Sequence, residues 1–401
     1  MIQRILLSLG LLLITTFAPS VTLASNPLFK LQIKDSKFFI TTTKLNFTYV
    51  ATIINLSSEL TLTNPDADCT SIIDGKCVFG VSDTGAATIG ISGPATHHHF
   101  SVCIHQNTPS CENFDIHFAY VSNRHVNVNG NTGLNQVSIC PIINGVLSAC
   151  TGVNPGTITY PNYALVNASG TLAYVVNARL GTLSQCTAHH GSFTSCDTIN
   201  GPFNKPQMLA LGPTGSVYVT NYANDSITLC ATNTQTGAID AAQCQESSAL
   251  FAGPAGIAIN KSGMTAYIAN TQSNTVSVCP LQSAGPIDSC TEVNPGSTFS
   301  TPTTITLNAD ETVAYITNAG NNTVSVCTMT NRTLSSCQAQ AVGTLNNPWG
   351  FALEKSGTVA YITNINNNTV SVCPIMNGVF GTCSVINDST FGVVTGISLS
   401  S

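Results

Sequence analysis

Beyond residue 115 the chain runs in short stretches where apolar and polar positions alternate, bounded by Gly, Pro, Asn or Ser, and no helical periodicity appears in it. In Thr312-Val-Ala-Tyr-Ile-Thr-Asn318, alternation puts Val313, Tyr315 and Thr317 on one face and Ala314 and Ile316 on the other. Both faces are apolar or small, which predicts a sheet covered on both sides rather than one half in water. Four kinds of run recur in a fixed order. A Pro-led run such as Pro302-Thr-Thr-Ile-Thr-Leu307 precedes the tyrosine run; then comes Thr323-Val-Ser-Val-Cys327 and a last run ending in a second cysteine.

The tyrosine runs are Tyr120–Asn123, Tyr174–Asn177, Tyr218–Asn221, Tyr267–Asn270, Tyr315–Asn318 and Tyr361–Asn364, and from Tyr174 onward the tyrosines lie 44, 49, 48 and 46 residues apart. Four short strands repeated at this spacing predict an all-β fold, a β-propeller with one four-stranded blade per repeat. The first repeat lacks its Pro-led run: Cys111 to Tyr120 is 9 residues, where later repeats have 22 to 25 between the same landmarks. The C-terminus holds a matching piece, Phe391-Gly-Val-Val-Thr-Gly-Ile-Ser-Leu399. Docked on the Tyr120 run, it would close a ring of six blades and remove the open sheet edges; seven blades, with one built from earlier sequence, is the alternative. Asn318 and Asn322 are expected to bracket the next turn. Asn144-Gly145 and Asn377-Gly378 mark hairpins between paired cysteines, and a bulge or a three-residue loop is needed there to bring the cysteines opposite each other.

The recurring Tyr218-Val-Thr-Asn221 run and its variants resemble the YVTN β-propeller repeats of exported and surface-associated prokaryotic proteins, over roughly residues 115–401. The resemblance implies a propeller and a cell-envelope or secreted location, and no particular reaction. A cysteine pair in every blade departs from the general pattern and looks like a bacterial exported subgroup.

Residues 1–24 have the layout of a signal peptide: Arg4, an apolar run from Ile5 to Phe17, and a small-residue exit at Ala24. No later stretch approaches the length of a membrane span. All 16 cysteines follow this segment, in close pairs: Cys69/Cys77, Cys103/Cys111, Cys140/Cys150, Cys186/Cys196, Cys230/Cys244, Cys279/Cys290, Cys327/Cys337 and Cys373/Cys383. In an exported chain they read as disulfides, paired as the repeats suggest; free buried thiols are the alternative, and zinc-type C-x₂-C spacing is absent. Residues 25–111 lack the repeat. Their alternating runs fit a small antiparallel sandwich, which resembles an immunoglobulin-like domain, ahead of a propeller at 112–401.

Composition narrows the chemistry. Only 7% of residues are charged, with Lys+Arg 12 against Asp+Glu 18 and a net charge of −6, so no basic surface is available for nucleic acid. The Tyr120 repeat carries an insertion: Tyr120 to Cys140 is 20 residues, against 12 in the other five. It places Arg124 and His125 on the face where propeller ligands dock, and Trp349, the single tryptophan, starts an innermost strand at that channel mouth. These three are the candidate ligand contacts. His97 and His99 fall on one strand face and are the weak candidates for a metal. The innermost strands at 206–211, 254–259 and 302–307 hold no ionisable side chain, and Asp310, Glu311 and Glu354 fall in the turns at the opposite end. No general acid–base constellation emerges. The expectation is therefore an exported non-enzymatic binding or scaffold propeller, without cofactor, periplasmic or extracellular, taking a protein or glycan partner. A propeller-type hydrolase or lactonase with a channel site is the alternative.

Overall fold

The computed structural model describes residues 116–400 with their side chains, apart from 125–134, 189–191, 214, 248–250, 282–286 and 288, and the backbone of strands between residues 29 and 115. Blade 5 shows the plan: Pro302–Leu307 pairs with Val313–Asn318, which pairs with Thr323–Thr330, which pairs with Thr333–Ala341, all antiparallel. Blades 2, 3, 4 and 6 repeat it from the inner strands Pro161–Val166, Pro206–Leu211, Pro254–Ile259 and Pro348–Leu353.

Blade 1 draws its inner strand from the other end of the chain. Val393–Leu399 pairs with Ser110–Arg124, with Ile397 opposite Val121, and that strand pairs in turn with Gln136–Ile143. Val394 and Ile397 are fully buried there. Each inner strand touches the next, and Val393–Leu399 touches both Pro348–Leu353 and Pro161–Val166. Among the described residues the ring thus closes at six blades.

The tyrosine motif is explained position by position. Its hydroxyl reaches across to the outer hairpin of the next blade: Tyr174 donates to Gly237 O at 2.7 Å and Tyr267 to Arg332 O at 3.0 Å. The threonine crosses to the next inner strand, as where Thr220 donates to Ala255 O at 2.7 Å and Thr317 to Trp349 O at 3.1 Å. The aliphatic residue between them joins the core shared with the preceding blade, Ile316 with Tyr267 and Val276 and Ile362 with Tyr315 and Val324, and Val219, Ile316 and Ile362 have no exposed surface. The asparagine, also fully buried, ties the strand end together. Asn318 Nδ2 donates to Ser325 Oγ at 2.8 Å, while its Oδ1 accepts the Ser300 backbone N–H at 3.1 Å. Asn177, Asn221 and Asn364 do the same in their blades. Asn318 thus ends its strand as a clamp directly before the turn and Asn322 closes the turn in the left-handed region, with φ 57°, so the two bracket it as expected.

Substituting Asn318→Ala strands the Ser300 loop N–H and removes the donor to Ser325 Oγ, which keeps its own bond to Thr298 O, and is expected to cost about 1–3 kcal/mol. A urea titration would register this as a lowered midpoint at unchanged slope, and an unchanged midpoint would refute the clamp.

Cys140–Cys150, Cys186–Cys196, Cys230–Cys244, Cys279–Cys290, Cys327–Cys337 and Cys373–Cys383 are disulfides joining the third and fourth strands, with Cα atoms 3.9–4.2 Å apart. Of the two ways to align the hairpin cysteines, the bulge is used. Met376 pairs with Val379 around a two-residue turn, and beyond the turn the register slips by one, so that Val372 meets Ser384 and Cys373 comes opposite Cys383. Cys69 and the side chains of Cys77, Cys103 and Cys111 lie outside the described residues, though the backbone of Cys103 stands opposite Cys111. Among the described residues no helix is long and apolar enough to cross a membrane.

Ahead of the ring, Phe29–Lys34, Lys37–Thr42, Thr88–Ser92 and Thr61–Thr63 form one antiparallel sheet in that order. Tyr49–Ile54 pairs with Cys77–Val81 and with His98–His105. His98–His105 then pairs with the first half of Ser110–Arg124, so the backbone of blade 1 continues unbroken into the N-terminal strands.

Candidate functional site

The inner strands approach most closely at mid-height, and glycine makes this possible. A Cβ on Gly256 would stand 2.7 Å from Thr303 O, and one on Gly350 would stand 2.8 Å from Thr395 O. Neighbouring inner strands are thereby packed backbone to backbone around the axis, and cavities open at the two ends of the ring.

The upper mouth is a cavity of about 830 Å³. Half of its lining comes from two points of the repeat: the residue after the motif asparagine and the residue before the inner-strand proline. The first point gives Arg124, Ala178, Tyr222 and Thr271; the second gives Tyr160, Lys205 and Thr301. At the second point the backbone is left-handed in five blades, with φ of 56° at Tyr160, 53° at Lys205, 62° at Gly253, 50° at Thr301 and 55° at Asn347. This conformation is costly for a side chain other than glycine, and for the β-branched Thr301 above all.

Arg124 ends the second strand of blade 1. Its guanidinium carbon lies 5.4 Å from the ring centre of Tyr160 and 5.5 Å from that of Trp349, and its Nε donates to Asn162 Oδ1. Asn162 Nδ2 donates to Gln207 Oε1 at 2.5 Å, and Gln207 Nε2 donates to Lys205 O at 2.8 Å. The guanidinium is thus held by a relay spanning three blades. Burial lowers its pKa to about 10, against the opposing pull of Tyr160, so it remains a cation at neutral pH. Lys205 stands 5.6 Å over the Tyr222 ring, and Arg179 joins from blade 2. Among the described residues no Asp or Glu lines this mouth. Three cations with aromatic walls and no counter-charge make a receptor for an anion.

Of the residues singled out in the sequence, Arg124 and Trp349 meet at this mouth. His125 and His97 lie outside the described residues, as does the side chain of His99. Tyr160, Asn162, Arg179, Lys205 and Gln207 were missed. Aligning the repeats on their prolines and asparagines would have shown them as the variable positions on a constant frame.

The profile of a family described as "Lactonase, 7-bladed beta-propeller" matches residues 178–378. No curated relative matches the sequence. Among solved structures, the chain resembles a candidate 6-phosphogluconolactonase from Bacteroides fragilis (15% identity, TM-score 0.51, covering 88% of this chain and 98% of that one). It also resembles the periplasmic gluconolactonase of Pseudomonas aeruginosa (12% identity, TM-score 0.50, covering 88% and 99%). A propeller in a nidogen–laminin complex is comparably similar (12% identity, TM-score 0.54, covering 71% and 98%). At such identities these likenesses speak for the fold, which serves hydrolysis and protein binding alike.

The lactonase match overturns the expectation of a non-enzymatic binding or scaffold protein. That expectation came from looking for ionisable groups within the inner strands, whereas the upper mouth takes its charges from the strand ends and loops that flank them. With half of its length, residues 178–378, matched by the profile, the chain belongs to the lactonase, seven-bladed β-propeller family.

Proposed function

We propose that the protein is an exported lactone hydrolase whose upper mouth takes a small lactone bearing a carboxylate or a phosphate. The observation that carries this reading is the Arg124 guanidinium, oriented by Asn162, sandwiched by Tyr160 and Trp349, and facing a cavity without acidic lining. Lactone hydrolysis adds water to the ring carbonyl, passes through a tetrahedral oxyanion and opens the ring to a hydroxy acid. A fixed guanidinium stabilises the negative charge that develops on that oxygen, and it does so more strongly in a partly dried mouth than in water. Lys205 and Arg179 suit the substrate's own anion and the further negative charge of the carboxylate formed on ring opening. Membership of a lactonase family and the likeness to gluconolactonases support the reaction class. The apolar N-terminus and six disulfides support export to the periplasm or beyond; the tyrosine repeat supports a YVTN-type propeller, and the N-terminal strands an immunoglobulin-like sandwich.

The test is ring opening followed by pH-stat on 6-phosphogluconolactone, gluconolactone and γ-butyrolactone. The phosphorylated lactone is expected to be preferred. Arg124→Met is expected to lower kcat/KM for it about 10²–10³-fold, as loss of an oxyanion donor does. Arg124→Lys recovers little of this, because a point charge cannot replace a stacked planar fork. Wild-type turnover in Arg124→Met would end the proposal.

A further inference from the structure

The central cation of the upper mouth is held by amides and not by a carboxylate. A guanidinium has only donors, so Asn162 turns its Oδ1 to Arg124 Nε. That leaves Nδ2 to donate to Gln207 Oε1, and Gln207 then uses its Nε2 to donate to Lys205 O at 2.8 Å. The relay thus runs one way, from the guanidinium to the backbone carbonyl of the residue that bears the second cation. Asn162 has no exposed surface and Gln207 is buried, so neither amide is held in place by solvent.

The frame of the ring does not call for this pair. On the other inner strands the same place holds Thr395, Ala255, Thr303 and Trp349. Thr395 and Thr303 each donate to the backbone of the next inner strand, to Pro161 O at 3.1 Å and Pro348 O at 3.2 Å. Amides stand there in blades 2 and 3 alone, the blades that also supply Arg179 and Lys205. Nor does the frame exclude acids from such work. The N–H before the inner-strand proline goes to Asn274 at blade 5 and Asn322 at blade 6, but to Asp225 at blade 4. Beside a half-buried guanidinium a carboxylate is the ordinary partner, and it cancels the charge that it orients. An amide orients the fork and leaves the charge whole.

We propose, on the reading of this mouth as a lactone site, that Asn162 and Gln207 are its positioning residues and select lactones whose anionic group lies away from the ring carbonyl. The relay aims Arg124 at the oxygen that gains charge during ring opening and keeps the full guanidinium charge for it. It also ties Arg124 to the strand end that carries Lys205, so the two cations meet the reacting oxygen and the substrate's own anion as one unit. Both amides act through the cations they hold.

Trp349 is the single tryptophan and its ring lies against Arg124, so its fluorescence reports what occupies the mouth. Titration of the full chain with 6-phosphogluconate, the ring-opened product, is expected to change it. Asn162→Asp keeps the size of the side chain but sets a carboxylate on the guanidinium, and is expected to weaken this binding about 10-fold or more. On 6-phosphogluconolactone it is expected to lower kcat about 10²-fold, the scale of a lost oxyanion donor. Gln207→Glu leaves Arg124 its Asn162 partner and adds an anion to the wall. KM is expected to rise about 10-fold for 6-phosphogluconolactone and to stay within about twofold for uncharged gluconolactone, with 6-phosphogluconate binding weakened in step. A merely structural fault would move both substrates alike. Gln207→Leu removes the anchor without changing charge, and is expected to lower kcat about 10-fold with KM nearly unchanged. Unchanged 6-phosphogluconate binding in a folded Asn162→Asp, an equal rise in KM for both lactones in Gln207→Glu, or no response of Trp349 in the wild type overturns the proposal. If Asn162→Asp does not fold, binding and KM in Gln207→Glu decide. Binding that weakens in these variants of a protein that opens no lactone would uphold the relay as an anion selector and refute the lactone reading alone.

Discussion

A chain that ends at Thr390 is expected to lose cooperative folding altogether. The missing segment supplies the inner strand of blade 1, and nothing else among the described residues can take its place. Val394 and Ile397 would no longer be buried, each at a cost of about 1.5–3 kcal/mol. The hydroxyl of Thr395 would no longer bridge Ser122 O at 3.2 Å and Pro161 O at 3.1 Å, and Ser398 would lose Ala164 O at 2.7 Å. Blades 2 and 6 would face an empty slot, and Ala119–Arg124 would offer an unpaired edge for aggregation. A domain's net stability is only about 5–15 kcal/mol, so these losses together suffice to remove it. Trp349, on the neighbouring inner strand, is the natural fluorescent probe in a urea titration. The truncated chain should show no sharp transition and should elute as aggregate, and a synthetic 391–401 peptide should restore the transition. A truncated protein that melted like the intact one would mean that the ring does not depend on its C-terminal strand.

The closing strand was legible because a repeat protein advertises what it lacks. A missing Pro-led run at Tyr120 and a spare one near Ile397 have one economical solution, and the pairing of Ile397 with Val121 is that solution. Strand order and the cysteine pairing within blades 1–6 followed for the same reason, since each was stated six times over. The mouths were harder to read. Lys205 and Tyr160 look like loop residues until the left-handed backbone before each proline is known to turn them to the mouth. Glu354 was visible as a turn residue, but its meeting with His117 joins positions 237 residues apart where blade 6 meets blade 1, which no local pattern records. Arg124 and Trp349 lay between these extremes. Each was conspicuous as a rare residue type in a sequence of Ser, Thr and Asn, and ring closure brought them together.

Reduction of the disulfides is expected to be as damaging as truncation, but far slower to begin. Each crosslink spans only 10 to 14 residues of sequence. Loops of that size are worth about 2–3 kcal/mol apiece through restriction of the unfolded chain. Six together rival the net stability of an ordinary domain. Charge pairing adds little to this, because only 7% of the residues are charged. The barrier to reduction is access. The third-strand partners Cys140, Cys186, Cys230, Cys279, Cys327 and Cys373 have no exposed surface. Of their fourth-strand partners only Cys337 is buried, while Cys150, Cys196, Cys244, Cys290 and Cys383 are half-buried, so dithiothreitol should reach native sulfurs from the outer side alone, and thiol release should quicken as urea opens the blades. Once reduced and alkylated, the chain should stay unfolded after the urea is removed, whereas the oxidised chain should refold. A cooperative transition in the alkylated protein within a few degrees of the oxidised one would show that burial alone holds the blades. If the reduced chain stays unfolded, the propeller can be built only where thiols oxidise, which ties its fold to export independently of the N-terminal apolar segment.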